Sequence, residues 1–126
     1  MTSITAATTA ILAAIVLVGC SPATKTASTG TATPEITVDA SDTGCAVSTA
    51  KVAAGSYTFV VTNTGSKVTE FYVYGDGQRV LGEAENISPG LQRRLDIRFD
   101  QPGTYQTACK PGMTGDGIQG DFTVTG

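Results

Sequence analysis

The sequence contains no histidine and no tryptophan. Without imidazole there can be no Ser-His triad, no Cys-His nucleophile pair, no three-histidine zinc site and no imidazole-based copper site. Charge is also scarce. Eight basic and 11 acidic side chains in 126 residues leave a net charge of -3, and all of them follow Cys20. No run of Lys and Arg is dense enough to track a phosphate backbone, so nucleic acid is not an expected partner. General acid–base work would fall on carboxylates, Tyr or Lys. No carboxylate pair matches a glycosidase or protease pattern, and the chain is not expected to be an enzyme.

The charge-free start, residues 1–19, ends in Leu17-Val18-Gly19-Cys20. This has the form of a secretory signal closing on a lipobox, with Cys20 as the lipid acceptor. Gly19 is small enough for peptidase access, and the Cys20 thiol is the nucleophile that forms the thioether. The apolar part, Ala6 to Val18, is too short to cross ~30 Å of hydrocarbon, which takes about 20 residues. A lipidated amino-terminal cysteine carries enough acyl chain for stable anchoring. The sequence therefore predicts an extracytoplasmic lipoprotein, held to the membrane by its anchor.

The expected organisation is a signal peptide (1–19), a lipidated Cys and flexible tether (20–34), and one small domain (35–126). The tether, Ser21 to Pro34, is made of Thr, Ala, Ser, Gly and Pro with one charge and no large apolar residue. As a random coil it would place the domain on the order of 20 Å from the bilayer.

From Glu35 onward hydrophobicity alternates with period two. Ile36 and Val38 alternate with polar neighbours; so do Tyr57, Phe59 and Val61, and again Leu95, Ile97 and Phe99. Phe71 to Tyr74, Tyr105 to Cys109 and Phe122 to Thr125 are further strand candidates. Gly- and Pro-containing turns separate these runs. Asp76-Gly77 suits a tight hairpin, because both central residues of a type I′ turn need positive φ. No helical period persists beyond the signal. About seven short strands at this spacing predict an all-β sandwich of two sheets. Arg93, Arg94 and Arg98, set against Asp96 and Asp100, form a solvated strand face.

Once Cys20 is lipidated, two thiols remain, Cys45 and Cys109. Outside the cytoplasm such a pair most often forms a disulfide. Met113 follows Cys109 in a Cys-x-x-x-Met spacing, and Thr114-Gly115-Asp116-Gly117 is a turn that falls short of a calcium loop.

Ala54-Gly55-Ser56-Tyr57-Thr58-Phe59, Pro102-Gly103-Thr104-Tyr105 and Cys109 opening the last loop together resemble a cupredoxin domain. Gly44-Cys45, Thr69-Glu70-Phe71, the stretch Glu83 to Gly90 (EAENISPG) and Cys109-Lys110-Pro111-Gly112-Met113 are similar to the cupredoxin-like domain of the extracytoplasmic iron-uptake component EfeO. The likeness covers about Pro34 to Gly126.

The resemblance implies a Greek-key β-sandwich that binds iron or copper, with an iron permease or a peroxidase-type uptake component as partner. It carries a first candidate metal site onto Cys45, Glu70 and Cys109, and a second, acidic one onto Glu83 and Glu85. Extended backbone would put those two glutamates on one face, and paired carboxylates suit hard cations. Met113 is the candidate thioether ligand.

A blue-copper centre of the two-His, one-Cys, axial-Met type is not expected, because no imidazole exists. For Cys45 and Cys109, ligation and a structural disulfide compete for the same sulfur atoms. Glu70 reads equally as a surface carboxylate, Glu83 and Glu85 as an acidic loop, and Met113 as a loop-packing residue. The opposing function is a structural or protein-interaction sandwich that binds no ion.

Overall fold

The computed structural model describes residues 30–126. The predicted signal (1–19), Cys20 and most of the tether (20–34) lie outside the described residues. Among the described residues no helix is long and apolar enough to cross a membrane.

Nine strands run in chain order: β1 (Glu35–Ala40), β2 (Cys45–Val47), β3 (Lys51–Ala53), β4 (Gly55–Asn63), β5 (Thr69–Tyr74), β6 (Val80–Ile87), β7 (Gln92–Phe99), β8 (Gly103–Cys109) and β9 (Ile118–Thr125). They form a four-stranded sheet of order β2-β1-β4-β7 and a five-stranded sheet of order β3-β9-β8-β5-β6. The chain changes sheets between β2 and β3, β3 and β4, β4 and β5, β6 and β7, and β7 and β8. Two neighbouring pairs are parallel, β1 with β4 and β3 with β9. The result is the all-β, two-sheet sandwich that the alternation predicts.

The alternation also sets the core. In β1, Ile36, Val38 and Ala40 point inward while Glu35, Thr37 and Asp39 point out. All four phenylalanines, Phe59, Phe71, Phe99 and Phe122, are fully buried. Their rings meet between the sheets: Phe59 lies 5.4 Å from Phe71 and 5.6 Å from Phe122, and Phe99 lies 5.3 Å from Phe122. Buried aromatics at these spacings give both area and preferred ring geometry.

Two tyrosines fix the end at which β4 and β8 begin. The Tyr57 hydroxyl donates to the Ala53 carbonyl at 3.0 Å, and the Tyr105 hydroxyl donates to the Gln101 carbonyl at 2.8 Å. Each spans four residues back across a Gly-x-Tyr corner, and each anchors the entry of its strand.

The turn between β5 and β6 differs in detail from the sequence expectation. It spans Gly75 to Arg79, and the two residues with positive φ are Gly77 (64°) and Gln78 (63°), one position later than Asp76-Gly77. Asp76 instead accepts from the Arg79 amide. Gln78 tolerates the left-handed backbone while its side chain donates to Gln106 at 2.9 Å. The arginine face is as expected: Arg94 pairs with Glu35 and Arg98 with Asp100 (2.6 Å), all exposed.

Candidate functional site

The pairing registers gather the sequence candidates at the end of the sandwich opposite the start of β1. Ala40 pairs with Cys45, Phe71 with Cys109, Thr69 with Ile87, and Cys109 with Ile118. Cys45 comes from an edge strand of one sheet and Cys109 from the end of β8 in the other. Their sulfurs are bonded at 2.01 Å, with Cα atoms 5.5 Å apart, across 64 residues of sequence. The Cα separation lies within the range that a disulfide spans. Cys109 is fully buried and Cys45 half-buried.

Polar side chains brace the loops around this bridge. Asp42 accepts from the Ser66 amide at 2.9 Å, the Ser66 hydroxyl at 2.5 Å and the Lys67 amide at 3.2 Å. These bonds, the hydroxyl first, hold the Asp42 carboxyl below its ordinary value. Asn63, 1% exposed, donates its amide to the carbonyls of Lys67 and Ile87, both at 2.7 Å, and accepts from the Gly65 amide at 2.9 Å. It thereby ties the end of β4 to β6 in the opposite sheet. The 110–117 loop joins β8 to β9 and packs Gly117 against the Cys109 backbone. A Cβ on Gly117 would stand 2.5 Å from the Cys109 carbonyl oxygen, and its φ is +76°. Both facts require glycine there.

Strand alternation separates Glu70 from the sulfurs. Its neighbour Phe71 faces the core beside Cys109, so Glu70 faces outward. Its carboxylate accepts from the Tyr72 hydroxyl at 3.1 Å. Tyr72 stacks on Tyr74 with centroids 5.5 Å apart, and the Lys110 ammonium lies 4.2 Å from the Tyr72 ring centroid. This is cation–π range. Burial first, then the Glu70 hydrogen bond and the charges of Glu70 and Glu83, push the Tyr72 phenol above the ordinary tyrosine range.

Glu83 is the cross-strand partner of Tyr72 on this same outer face. Glu83 and Glu85 are both exposed on β6 with buried Ala84 between them, so the segment is extended and they share a face. Met113 is 42% exposed in the one-turn 3₁₀ helix Pro111–Met113.

The structure therefore joins Cys45 to Cys109 and places Glu70 and Glu83 together on the far side of β5. Among the described residues, no three His, Cys, Asp or Glu side chains gather closely enough to hold a metal ion. Sequence reasoning did not pick out Tyr72, Lys110, Asp42 or Asn63. Alternation along Glu70, Tyr72 and Tyr74 is the signal that could have shown the aromatic face.

The family described as "Cupredoxin-like domain" matches residues 9–124. The chain belongs to this family. Among solved structures, reduced auracyanin from Roseiflexus castenholzii superposes with a TM-score of 0.53 at 16% identity, covering 75% of this chain and 97% of that one. Auracyanin A, a "blue" copper protein from Chloroflexus aurantiacus, gives 0.51 at 14% identity, covering 72% and 99%. The copper-containing nitrite reductase of Thermus scotoductus gives 0.53 at 18% identity, covering 74% of this chain but 28% of that one. At these identities the likeness is one of fold. No curated protein matches the sequence.

The residues present do not fit a mononuclear blue-copper centre. Such a centre needs two imidazoles and a thiolate. The chain has no histidine, and the Cys109 sulfur is bonded to Cys45.

Proposed function

We propose that this protein is a lipid-anchored, extracytoplasmic cupredoxin-like module that takes up a metal ion as cargo. On this reading the ion, iron or copper, passes to an iron permease or a peroxidase-type uptake partner, as its EfeO-like residues imply. It is not an enzyme. The lipobox supports the anchor, and a disulfide suits an oxidising compartment.

The observation that carries the metal reading is the meeting of Cys45 and Cys109, from opposite sheets and 64 residues apart, at bonding distance. Two electrons and two protons convert that bridge to two thiols. Their thiolates are a soft pair suited to Cu(I) or another thiophilic ion. Glu83 and Glu85, exposed on one face of β6, are the candidate oxygen donors for a hard ion such as Fe(III). Oxidation withdraws the sulfurs and leaves the oxygens.

Equilibrium dialysis of the reduced and oxidised protein against Cu(I), Cu(II), Fe(III) and Zn(II) tests this. The full chain should carry Cys20→Ser, so that Cys45 and Cys109 are its only sulfhydryls. The reduced form should retain a soft ion, Cys109→Ser should lose it, and Glu83→Gln should keep it. Affinities of about millimolar or weaker for all four ions in both forms would defeat the proposal.

The bridge also favours a second reading, a sandwich for protein interaction that binds no ion and whose disulfide is permanent. Thiol counting on protein taken from its native membrane separates the two. A pair found always oxidised, together with no ion retained by the acidic face, favours the second.

A further inference from the structure

Cys45 and Cys109 occupy unlike surroundings. Cys109 is 0% exposed and ends a strand interior to its sheet, between β5 and β9. Cys45 is half-buried and starts a three-residue edge strand that, among the described residues, pairs only with β1. Thiol–disulfide exchange requires a thiolate to reach one sulfur along the S–S axis, so access decides which sulfur is attacked.

We propose that the Cys45–Cys109 bridge is an exchange site for a dithiol reductant, opened by attack at Cys45. This rests on the pair being redox-active, as in the function proposed above. The incoming thiolate bonds to Cys45 Sγ, the Cys45–Cys109 bond breaks, and Cys109 leaves with the electron pair and takes up a proton. The reductant's second thiolate then attacks its own sulfur in the mixed disulfide. That step frees Cys45 and leaves the reductant oxidised. Two electrons pass to the protein and one disulfide forms for the one broken. Cys109 stays beneath the surface throughout, so it can also re-form the original bridge by expelling the reductant.

Glutathione is the probe for the first step. The full chain with Cys20→Ser is mixed with excess reduced glutathione and quenched within seconds with N-ethylmaleimide in denaturant, which exposes both sulfurs to the trap. Peptide mass spectrometry then reads both sulfurs. The expected product carries glutathione on Cys45 and the maleimide on Cys109, in at least about tenfold excess over the reverse arrangement. An excess of the reverse product, equal amounts of the two, or no adduct on either sulfur would overturn the proposal.

Single-cysteine chains give an independent reading. Against 4,4′-dithiodipyridine, the free Cys45 of a Cys20→Ser, Cys109→Ser chain should react at least about tenfold faster than the free Cys109 of a Cys20→Ser, Cys45→Ser chain. Denaturant should equalise the rates. Equal rates in the folded proteins would contradict the assignment. Because pre-reduced protein meets metal whichever sulfur opened first, this proposal and the metal reading can fail separately.

Discussion

Reducing the Cys45–Cys109 bridge should cost the fold a large share of its stability. The bridge spans 64 residues of sequence. Chain entropy alone then places the loss at about 4 kcal/mol at 25 °C. Domains of this size are stable by roughly 5–15 kcal/mol. One kcal/mol moves the melting temperature by about 4–8 °C, so the reduced protein should melt some 15–30 °C lower. The bridge also joins the two sheets at one end, where Asn63 and Asp42 supply the other ties. Reduction removes no side-chain atom, so no large cavity is created, although the two sulfurs must move apart to non-bonded distance. Urea unfolding followed by tyrosine fluorescence, with and without a dithiol, reads the difference directly, since the chain has four tyrosines and no tryptophan. A shift below about 1 kcal/mol would refute the reasoning. It would mean that the reduced, unfolded chain already holds the two segments together.

Asn63→Ala should cost about 2–4 kcal/mol in the same urea assay, since it strips hydrogen bonds from the Lys67 and Ile87 carbonyls and the Gly65 amide in a buried site. Gly82→Ala should destabilise by about 1–3 kcal/mol, because the new Cβ would stand 2.5 Å from Ile97 Cδ1 and 3.2 Å from Leu95 Cδ1. Adding Ile97→Val, which removes the nearer methyl, should recover part of that loss, and a purely additive double mutant would contradict the steric account. The Asp42 carboxyl is held below its ordinary value of 3.8, so its contribution is present above that pH and is lost as pH falls through the lower folded value. Asp42→Asn should therefore flatten the acid limb of the stability curve. Tyr72 has the opposite sign. Its folded value is raised above the ordinary 10.0, so its contribution is complete below pH 10.0 and is lost as pH rises through the folded value. Absorbance at alkaline pH should show one phenol titrating late, and Tyr72→Phe should remove that late step.

Alternation made β1, β4 and β7 legible because each carries three or more inward apolar residues at period two. Cys45–Val47 and Lys51–Ala53 are three residues long and show no period. They become strands only by pairing with β1 and with β9, contacts that lie far off in sequence. The hairpin after Tyr74 was visible as a turn, but its positive-φ pair lies one residue later, at Gly77 and Gln78, where the Gln78 side chain bonds to Gln106 in β8.

The two-sheet sandwich and the disulfide, one of the alternatives for the cysteine pair, were both in reach of the sequence. The side of the sheet on which Glu70 lies was not. That depends on Phe71 pairing with Cys109, a register set by the packing of β5 against β8. The same register puts Tyr72, Glu83 and Lys110 together on the outer face.

The most direct test of the account is an anaerobic Cu(I) competition against a bicinchoninate indicator, run on the fully reduced and the fully oxidised chain carrying Cys20→Ser. The reduced protein should withdraw one equivalent of Cu(I) through Cys45 and Cys109, and the oxidised protein should leave the indicator's colour unchanged. Equal withdrawal by both forms, or none by either, would contradict the claim that this sulfur pair is the soft-metal site of the fold.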